Sequence, residues 1–236
     1  MGAAPPPAYS PNGMVAADHL LGSEAGAQIL SQGGNAVDAA VATALAVGVV
    51  QPAGSGLGGG GFAVVVLPNG DAEIVDFREV APAAATETMY QNAESDTASR
   101  IGGLAVGVPG ESAGLLMLHN KWGSLPLEQV ASPAVDLARN GFVVASHLAK
   151  ALDGLGPDGE TMARGLFGLS DVPVEGDTVQ RLKLAATIEA FAQTKNKALR
   201  SGAIAEDIVS AVVDAGGILT KKDLAHYKPK KREPME

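Results

Sequence analysis

The sequence predicts a mixed α/β (α+β) fold in which one β-hairpin is surrounded by helices. The chain has 236 residues, of which 46% are hydrophobic and 18% charged, the balance of a globular protein with a buried core. Apolar residues recur at helical spacing in several segments, as at Leu21, Ala25 and Ile29. Two β-branched runs, FAVVVL and AEIVDF, flank Asn69-Gly70, and this is the strongest short-range signal for a hairpin.

Composition and charge exclude several classes of function. With 17 Lys and Arg against 26 Asp and Glu the net charge is −9, so nucleic acid and anionic membranes are not predicted as partners. The absence of Cys removes zinc–thiolate sites, disulfides and a Cys nucleophile, and the four His occur singly, so no metal site is predicted. The longest apolar run, residues 39–50, is interrupted by Thr43 and Gly48 and is too short to span a membrane.

The first structured elements are expected after a flexible lead-in over residues 1–12. This segment is rich in Pro and lacks the basic and apolar regions of a secretory signal. A short strand is predicted over Gly13–Ala17. Asp18 is then expected to cap a helix that runs to Ser31 and ends at a pair of glycines.

A second helix and a glycine-rich loop precede the hairpin. Asn35 and Asp38 form an N-cap pattern for a helix over 36–49, which is apolar on nearly every side and is therefore expected to be buried. The loop GSGLGGGGF, residues 54–62, follows this helix and leads into the first hairpin strand.

The rest of the chain is predicted to be mostly helical. Helices are expected over 111–122, 127–139, 146–152, 179–192 and 204–214, and Pro133 should break or kink the second of these. Residues 154–177 lack periodicity and are predicted as a long surface excursion or mobile loop. Thr220 and Asp223 form a capping box for one more short helix, whereas the charged final residues do not resemble the end of a folded unit.

The glycine-rich loop formally contains a G-x-G-x-x-G pattern, Gly56 to Gly61. A dinucleotide site needs this pattern between a strand and a helix, but here it follows a helix and opens a strand. No Gly-Lys-Ser/Thr sequence supports a P-loop either. The alternative is structural, since glycines permit close backbone approach and positive φ angles.

Arg78 is the most informative charged residue, because it lies where the second hairpin strand ends. A guanidinium at a strand end is suited to bind a substrate carboxylate in bidentate fashion, but it could equally be a surface residue paired with Asp76 or Glu79. The residues alone leave this choice open. Ser55 lies among glycines without a G-x-S-x-G motif or a neighbouring His, so no catalytic triad is indicated.

The run EAGAQILSQGGNAVDAAVATALAVGVVQPAGSGLGGGGF, followed by VDFREVAPAAAT, resembles the N-terminal part of the gamma-glutamyltranspeptidase family. The likeness continues through GVPGESAGLLMLHNKWGSLPLEQVASPAVDLARNGF and GAIAEDIVSAVVDAGGILTKKDLAHYKPKKREP, and covers nearly the whole chain from Gly13. The blocks GGNAVDAAVA, GLGGGGF and DFREVAP in this order make the resemblance specific.

The resemblance implies an N-terminal-nucleophile hydrolase, a four-layer αββα sandwich of which this chain supplies a large-subunit part. Such enzymes are made as one precursor that cuts itself into a large and a small subunit. The new N-terminal Thr of the small subunit attacks the γ-carbonyl of glutathione or another γ-glutamyl amide, with its own α-amine as base. The γ-glutamyl group then passes to water, an amino acid or a peptide, and neither a metal nor a cofactor is implied.

Within this resemblance, Arg78 matches the family Arg that binds the substrate α-carboxylate, and Gly58 to Gly61 match a glycine block to which we assign a role in packing the core sheet. The family's Thr cleavage block and oxyanion-hole blocks are absent from these residues. No catalytic residue is therefore expected in this chain. The implied partner is a small subunit that carries the N-terminal Thr.

The implied organisation is a large-subunit portion, residues 13–236, of a single domain, with core helices and the hairpin at 14–90 and a mostly helical part at 100–227. The chain alone is expected to be inert and prone to association. Two alternatives stay open: a related acylase of the same family, and a catalytically inert structural fragment. A periplasmic or extracellular location is implied, with a cytoplasmic one left open.

Overall fold

The computed structural model describes residues 9–234, and helices account for most of the regular structure. The helices are α1 Leu20–Ser31, α2 Ala36–Val50, α3 Glu111–Trp122, α4 Leu127–Asn140, α5 Ser146–Asp153, α6 Pro157–Phe167, α7 Leu182–Thr194, α8 Lys197–Ser201, α9 Ala203–Asp214 and α10 Lys221–His226. The strands are β1 Phe62–Val66, β2 Ala72–Asp76, β3 Phe142–Val143, β4 Thr178–Val179 and β5 Lys230–Arg232. The lead-in predicted over 1–12 lies mostly outside the described residues.

Helices α1 and α2 pack closely because glycines leave room at their contact. A Cβ on Gly22 would lie 2.5 Å from Val47 Cγ2, and one on Gly26 would overlap Thr43 Oγ1. The strand predicted over Gly13–Ala17 is absent, because this segment packs against α1 by side chains such as Val15 and has no strand beside it to pair with. The predicted burial of α2 is confirmed along most of its length.

The helix starts follow local capping chemistry. The capping box predicted from Asn35 and Asp38 is confirmed, with both reciprocal hydrogen bonds formed. In α1 the predicted cap is wrong by one residue: His19 Nδ1 accepts from the Leu21 N–H at 3.2 Å. Asp18 instead accepts a hydrogen bond from the Gln51 side-chain amide, and so ties the start of α1 to the end of α2.

The predicted hairpin is confirmed, and it forms two strands of a three-stranded antiparallel sheet in the order β1-β2-β5, with β2 in the centre. Val64 lies opposite Ile74, and Gly70 completes the turn with a φ of 89°. Strand β5 was not predicted, because a short Lys- and Arg-rich edge strand has no apolar alternation. Residues 9–234 contain this three-stranded sheet and a two-stranded one formed by β3 and β4. The second large sheet of a four-layer sandwich therefore stays a prediction.

The main core lies between α2, α4 and α7, with α1 and α3 around them. Pro133 does not break α4, which runs continuously through it. Residue 133 has no N–H to donate to the Gln129 carbonyl, and the Ser132 hydroxyl donates to that carbonyl instead, at 2.9 Å. The lost backbone hydrogen bond is thus replaced locally, and the predicted break is wrong, while a kink at Pro133 stays a prediction.

The region after α5 differs most from the sequence expectation. Residues 154–177 contain a three-turn helix, α6, rather than only a loop. The helix was missed because Ala163 is one of the few residues it buries, so the sequence carries no apolar stripe. Helix α7 begins at Leu182 instead of residue 179, since Val179 pairs with Phe142 in a two-stranded sheet. Helix α8 was not predicted either.

One face of the hairpin is apolar and exposed. Phe62, Val64 and Val66 on β1 are 62%, 63% and 68% exposed. The outer edge of β1 has no neighbouring strand among residues 9–234.

No helix among residues 9–234 is both long and apolar enough to cross a membrane.

Candidate functional site

A cavity of about 710 Å³ lies where the glycine-rich loop, the end of β2 and helices α3, α7 and α9 meet. This volume is in the range of sites that hold small molecules. Both apolar and polar side chains line the wall. The polar and charged side chains in the wall are Ser55, Arg78, Glu79, Glu111, Ser112, Arg181, Thr187, Asn196, Arg200 and Tyr227.

Arg78 has a fixed backbone and an exposed side chain. Its N–H donates to Asp76 Oδ1 at 3.0 Å, and its carbonyl accepts from the Tyr227 hydroxyl at 2.8 Å. The side chain is 57% exposed, and its Nε forms an ion pair with Glu79 Oε2 at 3.4 Å. A planar cation held this way at a cavity wall can still receive a carboxylate through its other N–H groups.

Asp76 and Tyr227 hold the backbone around Arg78. Asp76 accepts from the Arg78 N–H and from Arg232 Nε and Nη2, at 2.9 and 2.7 Å, and these groups hold the pKa of its carboxyl below the usual range. Burial, with Asp76 and Glu79 nearby, raises the pKa of Tyr227 to about 12. The tyrosine hydroxyl is therefore protonated at neutral pH and serves as a donor. Asp76 pairs with Arg232, so it is not the partner of the Arg78 guanidinium.

The glycine-rich loop packs tightly on the end of β2. A Cβ on Gly60 would overlap the Phe77 carbonyl and lie 3.1 Å from Arg78 Cα. The Gly59 carbonyl accepts from the N–H groups of Gly110 and Glu111, both at 2.9 Å, and so fastens the loop to the start of α3. The structural role assigned to the glycine block therefore fits Gly60.

Gly58 does not share that role, and the packing interpretation is wrong for it. A Cβ at this position would meet nothing within 4 Å. Its backbone also has no positive φ that would favour glycine. The loop lies between α2 and β1, so it leads into a strand and does not open a helix as a dinucleotide-binding loop does.

Glu111 places a buried carboxylate in the cavity wall. The residue is 7% exposed, and its Oε1 has no hydrogen-bond partner among residues 9–234. Burial raises the pKa of this carboxyl to about 7, against the opposing effect of the Gly56 N–H, and the charge of Glu79 adds to the increase. Glu111 can therefore change its protonation state near neutral pH.

Arg181 is a half-buried cation in the wall of the same cavity. Its Nη1 donates to the carbonyls of Gly48 and Val49, at 2.7 and 2.9 Å, in the last turn of α2. Burial lowers its pKa to about 10, so the side chain is still a cation at neutral pH. Within the described part of the chain its Nε has no partner, and no carboxylate lies within ion-pair distance.

The other residues considered from the sequence contribute less. Ser55 lies in the cavity wall, but no His does. His19 caps α1, and His119 Nε2 bonds to the Leu125 carbonyl outside the cavity. Residues 9–234 contain no cluster of three or more His, Asp and Glu side chains with metal-binding geometry.

Sequence reasoning missed Tyr227, Glu111 and Arg181. Tyr227 reaches Arg78 across 149 residues of sequence, and Arg181 reaches Gly48 across 133, so no local pattern could reveal either contact. The position of Glu111 in the first turn of α3 did not mark it as a site residue. An acid at a helix start is ordinarily solvated and stabilises the helix dipole. The Glu111 carboxylate lies against the glycine-rich loop at Gly59.

Comparisons with known proteins match this fold and sequence over nearly the whole chain. The Gamma-glutamyltranspeptidase family model matches residues 22–236. The glutathione hydrolase proenzyme of Escherichia coli K12 is 38% identical over 237 aligned positions, which cover 97% of this chain and 41% of that protein. The chain thus spans about two fifths of the length of this curated relative.

Solved structures give the same result. The crystal structure of Helicobacter pylori gamma-glutamyltranspeptidase superposes with a TM-score of 0.90 at 37% identity, covering 98% of this chain and 68% of that one. The cephalosporin acylase of Bacillus halodurans superposes with a TM-score of 0.84 at 29% identity, covering 99% of this chain and 46% of that one. By sequence and by structure, this chain belongs to the gamma-glutamyltranspeptidase family.

Proposed function

We propose that this chain is the large-subunit part of an enzyme that cleaves γ-glutamyl amides such as glutathione and passes the γ-glutamyl group to water, an amino acid or a peptide. The observation that carries the proposal is Arg78, whose backbone is fixed on both sides and whose exposed side chain lies at the cavity wall, where its Nε pairs with Glu79. Family membership supports it.

The proposed chemistry needs a nucleophile from a partner chain. A small subunit of the same precursor would supply an N-terminal Thr, whose Oγ attacks the γ-carbonyl while its α-amine accepts the proton. The amide C–N bond breaks, the amine leaves with that proton, and an ester remains on the Thr. Water or an amine then attacks the ester and releases the Thr. No metal or cofactor enters this scheme.

In this scheme Arg78 binds the α-carboxylate of the donor and holds the γ-carbonyl at a fixed distance from the nucleophile. A carboxylate that accepts two parallel N–H bonds from a guanidinium gains both energy and orientation. Asp76, Arg232 and Tyr227 support this role by fixing the Arg78 backbone rather than by touching the donor.

The exposed face of β1 is where we place the second sheet of the four-layer sandwich. Three large apolar side chains, Phe62, Val64 and Val66, point to that side. Exposed apolar patches of this kind mark protein contacts. In this arrangement the small subunit would cover them and bring its Thr toward the cavity.

The test is the kinetics of Arg78→Lys in the assembled enzyme. We expect the KM for a γ-glutamyl anilide to rise about 10- to 100-fold, the effect of losing a charged bidentate hydrogen bond, while self-cleavage of the precursor continues. In the wild type, a donor whose α-carboxylate is replaced by an amide should have a KM raised by a similar factor. Arg139→Lys, in a surface ion pair with Glu189, is the control. An unchanged KM for Arg78→Lys would contradict the role.

A related acylase is the second candidate function. It is favoured by the apolar wall of the cavity, formed by Leu184, Leu199, Ile204 and Ile208, and by the likeness to the cephalosporin acylase. An assembled enzyme that ignores γ-glutamyl amides but cleaves another acyl amide would support it. If the assembled enzyme cleaves neither, the chain is an inert structural fragment.

We place the enzyme in the periplasm or outside the cell, as the resemblance implies.

A further inference from the structure

The side chains that fix the Arg78 backbone belong to, or are held by, one short segment that follows α10, residues 227–232. At its start, the Tyr227 hydroxyl donates to the Arg78 carbonyl at 2.8 Å. At its end, Arg232 donates to Asp76, the residue that accepts from the Arg78 N–H. The position of Arg78 at the cavity wall therefore depends on the position of this segment.

The Tyr227 ring is closely packed, so the position of its hydroxyl follows the position of its backbone. The residue is 7% exposed. A Cβ on Gly110 would overlap the Tyr227 hydroxyl and lie 2.7 Å from Cζ, so the ring lies directly against the start of α3. A side chain confined in this way has little freedom to change rotamer and keep its hydrogen bond when its backbone shifts.

Arg200 fastens the Tyr227 backbone to α8. Its Nη2 donates to the Tyr227 carbonyl at 2.8 Å and also to the Ala225 carbonyl in the last turn of α10. Carbonyls at the end of a helix have no partner within the helix, and a basic side chain that donates to them stabilises the helix end. Arg200 thus joins the end of α10, and the segment that follows it, to α8.

Helix α8 is a well-packed support for Arg200. The preceding residue, Leu199, is 6% exposed and packs in the main core. Leu199 and Arg200 both line the cavity. The Arg200 side chain therefore connects the α8 part of the cavity wall to the part formed by Tyr227 and Arg78.

From these contacts we infer that Arg200 is a positioning residue for Arg78 and acts through Tyr227. Arg200 fixes the Tyr227 backbone, and the Tyr227 hydroxyl fixes the Arg78 carbonyl, so that the Arg78 guanidinium is presented to the α-carboxylate of the donor. Arg200 itself does not touch the donor in this scheme. The inference rests on the proposed function, because it assigns Arg200 an effect only on donors that Arg78 binds.

The first test compares two donors in the assembled Arg200→Met enzyme, a γ-glutamyl anilide and the same anilide with its α-carboxylate replaced by an amide. Met removes the N–H donors and keeps an unbranched apolar stem. We expect the KM of the first donor to rise about 3- to 10-fold, the effect of losing one or two hydrogen bonds, with kcat changed by less than about twofold. The KM of the amide donor should not change, since this donor lacks the carboxylate that Arg78 binds.

Further variants show whether the effect passes through Tyr227. In the Tyr227→Phe background, Arg200→Met should raise the donor KM no further, because the hydrogen bond that Arg200 supports is already lost. Arg200→Lys keeps a cation but not the planar fork, so it should raise the KM by a smaller factor, about twofold. Arg139→Met removes a surface arginine paired with Glu189 and is the control, with both KM values expected to equal those of the wild type.

The outcomes separate this inference from the proposed function. If Arg78→Lys raises the donor KM but Arg200→Met does not, the positioning role is overturned and the function is retained. Equal increases for both donors, or additive effects of Arg200→Met and Tyr227→Phe, would also overturn the positioning role. If Arg200→Met does not fold, Arg200→Lys is compared with the same two donors, and an increase that is not selective for the α-carboxylate overturns the role. A wild-type enzyme that cleaves no γ-glutamyl anilide would overturn both.

Discussion

Replacing Glu111 by Gln is expected to stabilise the protein at neutral and alkaline pH but not in acid. The carboxyl is 7% exposed, and burial raises its pKa from 4.5 to about 7. Each tenfold change in proton affinity corresponds to about 1.4 kcal/mol, so the ionised carboxylate destabilises the folded state by about 3 kcal/mol. Gln keeps the size of the side chain and removes the charge.

The sign follows from proton binding. Below pH 4.5 the carboxyl is protonated in both states and has no effect on the free energy of unfolding. Between pH 4.5 and about 7 the folded state binds more protons than the unfolded state, so wild-type stability falls with rising pH, and above this window the loss is complete. The advantage of Glu111→Gln should therefore grow from near zero to about 3 kcal/mol by pH 8.

Urea unfolding of the assembled protein at a series of pH values measures this difference. Glu206→Gln is the control, because Glu206 forms an exposed ion pair with Lys221 and should show no comparable gain. A stability difference for Glu111→Gln that does not change with pH, or a wild type more stable than the variant at pH 8, would refute the argument. It would mean that the carboxylate has a cationic partner in the assembled enzyme.

Three further substitutions test the packing and hydrogen bonding that hold the site. Asp38→Ala should lower the free energy of unfolding by about 4 kcal/mol, because the fully buried carboxylate accepts from the Asn35 N–H and from the N–H and hydroxyl of Ser124. Urea unfolding measures this loss, and a loss below about 1 kcal/mol would contradict the prediction. Gly114→Ala should lower Tm, because its Cβ would overlap the Phe77 ring, whereas Gly165→Ala on α6, with nothing within 4 Å, should leave Tm unchanged or raise it. Tyr227→Phe should cost about 1–2 kcal/mol and raise the donor KM severalfold by freeing the Arg78 carbonyl; an unchanged KM would show that this hydrogen bond does not position Arg78.

The elements that could be predicted are those whose signals are local. The capping boxes at Asn35 and Thr220 and the turn at Asn69-Gly70 each satisfy their hydrogen bonds within a few residues, and all three are confirmed. Wrong or missed elements depend on distant partners. Residues 13–17 lack a strand to pair with, and Lys230–Arg232 becomes a strand because it lies beside β2.

The same distinction applies to the candidate site. Arg78 could be singled out because its position after a strand and its DFREVAP block are visible in the sequence. The groups that give the site its geometry could not, since Tyr227 and Arg232 reach the end of β2 from the far end of the chain. Glu111 likewise contacts a glycine loop from much earlier in the chain, where the Gly59 carbonyl accepts from its N–H.

The proposed function requires this chain to be one part of a two-chain enzyme whose nucleophile lies in the other part. The most direct test is the intact mass, under denaturing conditions, of every polypeptide in a purified sample that cleaves a γ-glutamyl anilide. We predict a polypeptide that contains this sequence together with a second one that begins with Thr. A sample that holds a single species of 23.7 kDa and still cleaves the donor would contradict the claim.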